Sequence, residues 1–232
     1  MPGIQAKALE KQFGVKRVRI IKEIDLDIKA GEFVSITGRS GSGKSTLLYL
    51  LSGLDDPTSG QVLVDDKDIH HLDSDALHRF RNEEMGFVFQ FHYLLPELSS
   101  LENVLMPARK LHRHDEMRDA AEDLLKKFEV GHCIEKKPSQ MSGGEQQRVA
   151  IVRSIIMKPR YLFADEPTGN LDSVNGETVL KMFEEINQEL GTTILMVTHE
   201  QEFAARASRQ VYLVDGEIDK DTSQHHKKHI PK

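Results

Sequence analysis

Gly38-Arg39-Ser40-Gly41-Ser42-Gly43-Lys44-Ser45 matches the spacing G-x-x-x-x-G-K-[ST]. The stretch before it, Glu32-Phe33-Val34-Ser35-Ile36-Thr37, reads as a buried strand. The stretch after it, Thr46-Leu47-Leu48-Tyr49-Leu50-Leu51, reads as a helix. A glycine-rich turn between a strand and a helix lets backbone N–H groups curl around phosphate oxygens, and the helix N-terminus adds partial positive charge. Lys44 then reaches the β- and γ-phosphates, and the Ser45 hydroxyl can ligate Mg²⁺. A chance Gly/Ser-rich turn would carry the same glycines, but the strand–loop–helix context favours a nucleotide.

Tyr161-Leu162-Phe163-Ala164-Asp165 is a short apolar run ending in a carboxylate, with Glu166 next. A parallel strand delivers functional side chains at its C-terminal end, where phosphates lie. That puts Asp165 in the Mg²⁺ shell and Glu166 before the γ-phosphate and an attacking water. Taken alone, the pair would more simply be a helix cap and a solvated loop residue. Ser142-Gly143-Gly144-Glu145 reads first as a capping box opening a helix. Two adjacent glycines are unnecessary for capping, and they are expected to admit a phosphate to a second helix end, supplied by a second copy of the chain.

With these residues in place the chain resembles the ATP-binding-cassette (ABC) ATPases over roughly residues 4–219. The family's signature loop, usually Leu-Ser-Gly-Gly-Gln, stands here as Met141-Ser142-Gly143-Gly144-Glu145. The resemblance implies a P-loop, RecA-like parallel-sheet core with an inserted α-helical subdomain and an antiparallel β subdomain. It implies ATP and Mg²⁺ as ligands. Nucleotide contacts are implied for Phe13, stacked on adenine, and for Gly38, Arg39, Ser40, Gly41, Ser42, Gly43, Lys44, Ser45 and Thr46. Ser142, Gly143, Gly144 and the D-loop Asp172 are implied to act on the nucleotide as well. Gln90, after the strand Gly86-Phe87-Val88-Phe89, matches the Q-loop glutamine and joins Ser45 and Asp165 as a metal-shell residue. His199, after Thr193-Ile194-Leu195-Met196-Val197-Thr198, matches the switch histidine. Glu166, His199, Gln90 and Lys44 are the implied catalytic set.

Within the family, Gln90-Phe91-His92-Tyr93-Leu94-Leu95-Pro96 and Leu101-Glu102-Asn103-Val104 are similar to the lipoprotein-releasing transporter group. Ala164-Asp165-Glu166-Pro167-Thr168-Gly169-Asn170-Leu171-Asp172 resembles a wider group that includes macrolide exporters and the cell-division cassette. The resemblance implies integral membrane subunits as partners, and a peripheral location at the cytoplasmic face of the inner membrane. Soluble family members acting on DNA or ribosomes share the chemistry but carry a long coiled coil or two tandem cassettes. P-loop kinases and GTPases lack the signature helix and switch histidine.

Composition fits a power subunit. The 232 residues are 38% hydrophobic, enough for one sizeable domain. A net charge of −6, from 31 basic and 37 acidic residues, opposes broad nucleic-acid binding. The lone Cys133 excludes an internal disulfide and reads as a small buried hydrophobe. No apolar run approaches the ~18 residues of a bilayer span, and Met1–Lys7 lacks a signal pattern.

The expected organisation is a catalytic core of residues 1–89 and 159–219, a helical subdomain of 90–158, and a disordered tail of 220–232. Ser100 is expected to cap a first helix. A second carries Met117, Ala121, Leu124, Leu125 and Phe128, and a third buries Val179, Met182, Phe183, Ile186 and Leu190 on one face. The tail histidines, His225, His226 and His229, have no carboxylate or Cys framework and read as part of the disordered tail.

Overall fold

The structure is a computed structural model that describes residues 3–223. In chain order the strands and helices are β1 (Gly3–Phe13), β2 (Val18–Lys29), β3 (Phe33–Gly38), α1 (Lys44–Leu51), β4 (Ser59–Val64), β5 (Lys67–Asp68), α2 (Ser74–Glu84) and β6 (Met85–Phe89). There follow α3 (Ser100–Lys110), α4 (Arg118–Lys127), α5 (Gly143–Ile155), β7 (Tyr161–Asp165), α6 (Ser173–Leu190), β8 (Thr193–Val197), α7 (Gln201–Ala204), β9 (Arg209–Val214) and β10 (Glu217–Ser223).

Two sheets organise these elements. The six-stranded sheet has the order β10-β9-β3-β8-β7-β6, parallel throughout except for the β9–β10 hairpin. The four-stranded sheet, β2-β1-β4-β5, is antiparallel. Strands of the parallel sheet are apolar at nearly every position because both faces are covered. Alternation assigns the faces. Tyr161 and Phe163 of β7, with Leu195 and Val197 of β8, join α1 and the antiparallel sheet in one core. Leu162, Ala164, Ile194 and Met196 face the other core, built with α3, α4, α5 and α6. The fold is thus a P-loop α/β core with an antiparallel β layer on one side and helices between β6 and β7 on the other.

Several expectations are corrected. Helix α2, directly before β6, had no clean apolar stripe to announce it, and none of its residues is fully buried. Ser99 rather than Ser100 caps α3. It accepts from the Glu102 amide while Glu102 accepts from the Ser99 amide at 2.9 Å, and Ser100 is buried inside the helix. Leu190 is 47% exposed, the last residue of α6 before the chain turns through Gly191. The ordered chain runs past residue 219, because the 220–223 segment pairs with β9 as far as Ser223↔Arg209. The remainder of the expected tail, including the histidines, lies outside the described residues. Among the described residues no helix is long and apolar enough to cross a membrane.

Candidate active site

The 39–43 loop joins the end of β3 to the start of α1. Gly43 is the N-cap residue at φ 99°, with no side chain accepting from the first turn. A Cβ there would stand 2.9 Å from the Ile20 carbonyl oxygen, so only glycine fits both the turn and the neighbour. A cleft of about 420 Å³ lies at this helix end, lined by Phe13, Ile20, Ser40, Gly41, Gly43, Lys44, Ser45, Thr46 and Glu166. Gly38, Arg39 and Ser42 do not line it. Ser42 is buried beneath the loop. The Lys44 ammonium donates to the carbonyls of Gly38 at 3.2 Å and Arg39 at 3.1 Å, which holds it across the loop. Phe13 is half exposed, with the Lys11 ammonium 4.9 Å from its ring centre.

The strand order brings β7 within reach of α1. Asp165 accepts from the Ser45 hydroxyl at 2.8 Å on one oxygen and from the Tyr49 hydroxyl at 2.7 Å on the other. Burial and this carboxylate raise the Tyr49 phenol above its ordinary pKa, so it stays a donor. Tyr49 lies one helical turn beyond Ser45. The i, i+4 spacing was the available signal, and it was obscured because Tyr49 sits in an apolar run. Glu166 holds φ at +47°, a left-handed conformation uncommon for a non-glycine residue, and its amide donates to the Val197 carbonyl at 3.0 Å. One carboxylate oxygen lies 3.3 Å from His199 Nδ1.

Gln90 follows Phe89, which pairs in register with Asp165. Its side-chain amide donates to Asn170 at 3.3 Å, and Asn170 donates back to the Gln90 carbonyl at 3.1 Å. The structure therefore joins Gln90 to the loop after Glu166 rather than to Ser45 or Asp165. Asp172 caps α6 through the Asn175 amide at 2.8 Å, which holds its carboxyl below the usual range.

Ser142, Gly143 and Gly144 do not line the Lys44 cleft. Ser142 is a true N-cap: Glu145 accepts from its amide at 2.7 Å and its hydroxyl accepts from the Glu145 amide at 3.3 Å. That backbone bond, then His132, then the Ser142 hydroxyl bring the Glu145 carboxyl down to about 2. The two glycines have different reasons. A Cβ on Gly143 would meet nothing within 4 Å, leaving this helix end open to approach. A Cβ on Gly144 would stand 2.2 Å from Asn175 Oδ1, so any larger residue there would have to push the Asn175 side chain of α6 aside within the same chain. Arg148 donates to that same oxygen at 3.3 Å, and the buried Gln147 donates to the Pro167 carbonyl at 2.7 Å. These links fasten the start of α5 to the segment after Glu166. Sequence reading missed them because they join residues far apart in the chain.

The ABC transporter family matches residues 21–169. The chain is 51% identical to the lipoprotein-releasing system ATP-binding protein LolD of Leptospira interrogans serogroup Icterohaemorrhagiae, over 93% of this chain and 90% of that protein. It is 49% identical to the protein of the same name from Aquifex aeolicus, over 88% and 91% of the two chains. Among solved structures, a dimeric bacterial ABC transporter cassette superposes with a TM-score of 0.89 at 41% identity, covering 96% of this chain and 99% of that one. A dimeric cassette in a post-hydrolysis state, bound to ADP and Pi, gives a TM-score of 0.85 at 37% identity and the same coverage. The chain belongs to the ABC transporter family, as an ATP-binding, ATP-hydrolysing cassette.

Proposed function

We propose that this cassette powers a lipoprotein-releasing transporter, working as two copies attached to integral membrane subunits. The observation that carries the paired arrangement is the division of the site. Phe13, Gly41, Lys44, Ser45 and Glu166 line one cleft, with Asp165 bonded to Ser45 beside it, whereas Ser142 and the open face of Gly143 stand apart from it. ATP held in the cleft of one copy is completed by the Gly143 helix end of the other. The lipoprotein assignment rests on the relatives named above, each a lipoprotein-releasing system ATP-binding protein at close to half identity over most of both chains. The resulting subunit is peripheral, held at the cytoplasmic face by its membrane partners.

The oxygens of Ser45 and Asp165 suit a hard divalent cation such as Mg²⁺, which is bound through one or two protein oxygens plus phosphates. When bound, Mg²⁺ would neutralise charge on the phosphates. Glu166 orients and deprotonates the attacking water. His199, beside Glu166, and Lys44 hold charge on the transferring phosphoryl group. Tyr49 fixes the Asp165 carboxylate from behind. Tyr49→Phe is expected to weaken nucleotide binding only when Mg²⁺ is present, by about tenfold, the lower end of what a charged hydrogen bond is worth. A charged hydrogen bond contributes roughly 1.5–3 kcal/mol, and Ser45 still holds the other oxygen. Fluorescent-nucleotide titrations in Mg²⁺ and in EDTA check this, and equal losses in both would remove Tyr49 from the metal shell.

The membrane partner's docking region is drawn from the apolar loop after Gln90. Leu94 is partly buried against the core, while Phe91, Tyr93 and Leu95 are exposed at 63%, 64% and 41%. Arg153 fixes the loop by donating to the His92 and Tyr93 carbonyls at 2.7 and 2.6 Å. Beside it lies an open groove of about 760 Å³, floored by Met85, Phe87, Phe89 and Met106 and edged by Arg81, Arg109, Lys110 and Arg153. An amphipathic helix with acidic flanks fits that floor and rim.

The reading is tested by purifying the complex from its native membrane and identifying the lipoproteins it releases with ATP. Release of small hydrophobic drugs instead would favour the macrolide-exporter alternative, and co-purification with division proteins the cell-division one. Leu95→Asp and Met106→Lys should each abolish co-purification with the membrane subunits while leaving basal hydrolysis of the isolated cassette nearly intact. An unpaired charge would be buried at the contact. Retained co-purification in both variants would put the docking region elsewhere.

A further inference from the structure

The signature helix carries a second cluster, outside the nucleotide cleft. Glu145, at the third position of α5, presents its two carboxylate oxygens in different directions. Oε2 faces the cap, accepting from the Ser142 amide and hydroxyl at 2.7 and 2.9 Å. Oε1 faces the short turn Gly131–Cys133, where it lies 2.6 Å from His132 Nε2 and 3.4 Å from Cys133 Sγ. The three potential ligand atoms, one nitrogen, one sulfur and one oxygen, all lie within 4.8 Å of one another. Among the described residues no other group of three His, Cys, Asp or Glu side chains converges in this way.

We propose that His132, Cys133 and Glu145 form a binding site for a borderline-soft divalent cation of the Zn²⁺ class. The donor set suits that ion and does not suit Mg²⁺, which takes oxygen ligands. The geometry is close to what such an ion requires. With metal–nitrogen and metal–oxygen bonds of about 2.0–2.1 Å and a metal–sulfur bond of about 2.3 Å, tetrahedral ligand atoms stand roughly 3.3–3.8 Å apart. The observed 3.4 Å sulfur–oxygen distance already meets this, and the 2.6 Å nitrogen–oxygen contact must open by less than about 1 Å. His132 is exposed and rotates without disturbing the core, while buried Cys133 and capped Glu145 are fixed.

Proton balance is simple. The metal replaces the hydrogens now shared with Oε1: the Cys133 thiol proton leaves to solvent, and the hydrogen between His132 Nε2 and Oε1 leaves Nε2, so that the neutral imidazole carries its one proton on Nδ1. Because the thiol must give up its proton to ligate, metal uptake is favoured by alkaline conditions. Oε2 remains on Ser142, so the ion ties the Gly131–Cys133 turn to the signature helix without uncapping it. The fourth position is left for water on the exposed side.

Co²⁺, which reports tetrahedral and thiolate coordination by its visible spectrum, is the probe, with Zn²⁺ as competitor. The full chain is used without nucleotide, under reducing conditions and in excess Mg²⁺. His225, His226 and His229 are changed to Ser in every sample, so that the tail contributes no ligand. The expected result is a thiolate-to-metal absorption that saturates at a single ion per chain and is displaced by Zn²⁺. Cys133→Ser removes that band, and His132→Ala and Glu145→Gln each weaken binding by at least about tenfold, the loss typical for a ligand-level change. Because Cys133 is the only cysteine, any thiolate band belongs to it. Absence of a saturable band in the parent chain overturns the proposal. So does a band of unchanged affinity in both His132→Ala and Glu145→Gln, or a signal that persists in Cys133→Ser. Unaltered Mg²⁺-dependent ATP hydrolysis by Cys133→Ser, which lies outside the phosphate cleft, verifies that the variant is folded.

Discussion

Glu166→Gln will bind ATP with near-parental affinity and hydrolyse it at least ~10²-fold more slowly, because a positioned general base typically supplies 10²–10⁴-fold. The substitution keeps the shape and the hydrogen-bonding reach of the side chain but removes its proton-accepting charge. Its backbone is over-determined by the bond to Val197 and by the strand that delivers Asp165, so the glutamine should occupy the same place at the same unusual φ. His199 beside it would keep a partner for one ring nitrogen. Nucleotide affinity should hold because Lys44, Ser45 and Phe13 are untouched. Single-turnover hydrolysis measured beside equilibrium nucleotide binding separates these effects. Near-parental turnover would take the base role away from Glu166, and equal loss of binding would mean that the side chain maintains the cleft rather than the chemistry.

The readable parts of the sequence were those in which local chemistry and local structure coincide. The phosphate loop announced itself because its glycines, lysine and serine are consecutive and sit between one strand and one helix. Asp165 and Glu166 became legible only beside the phosphate loop, because alone a carboxylate pair at a strand end reads as a cap and a solvated loop residue. Helix α2 was hidden because it lies on the surface, where its mostly polar residues leave little apolar periodicity. The Ser99 cap differed from the expected Ser100 by one residue, because two adjacent serines offer equal capping chemistry and only the Glu102 partner at the third helical position decides. Gly144 illustrates a deeper limit. Its pattern suggested room for phosphate, yet its neighbour is Asn175, thirty-one positions later on α6, a contact that no local reading contains. The same holds for Glu145, whose partners His132 and Cys133 precede it in a turn that looked unremarkable.

The Gly143–Gly144 distinction sharpens the test of the shared site. Glu166→Gln protein, which binds ATP without consuming it, should dimerise when ATP and Mg²⁺ are added, and Ser142→Arg in that background should prevent it. Ser142 is exposed at the open end of α5, beside the face of Gly143 that would meet nothing within 4 Å. An arginine there fills the space through which a partner's phosphates must come. It also removes the cap hydroxyl, a loss of about 0.5–2 kcal/mol to the helix, so stability must be measured alongside. Ser142→Ala provides the control: it forfeits the same cap without the bulk, and should dimerise if the arginine acts by obstruction. Gly144→Ala is expected to behave differently from both. Its Cβ displaces the Asn175 amide, which is bonded to Arg148 and Asp172 within one chain, so it should lower thermal stability even without nucleotide. Size-exclusion chromatography with and without ATP reads the dimer. An ATP-induced dimer that survives Ser142→Arg would reduce the signature to a helix cap, whereas loss of the dimer in both Ser142 variants would assign the effect to the cap itself. Only loss in arginine alone leaves the open helix end as the second half of the nucleotide site.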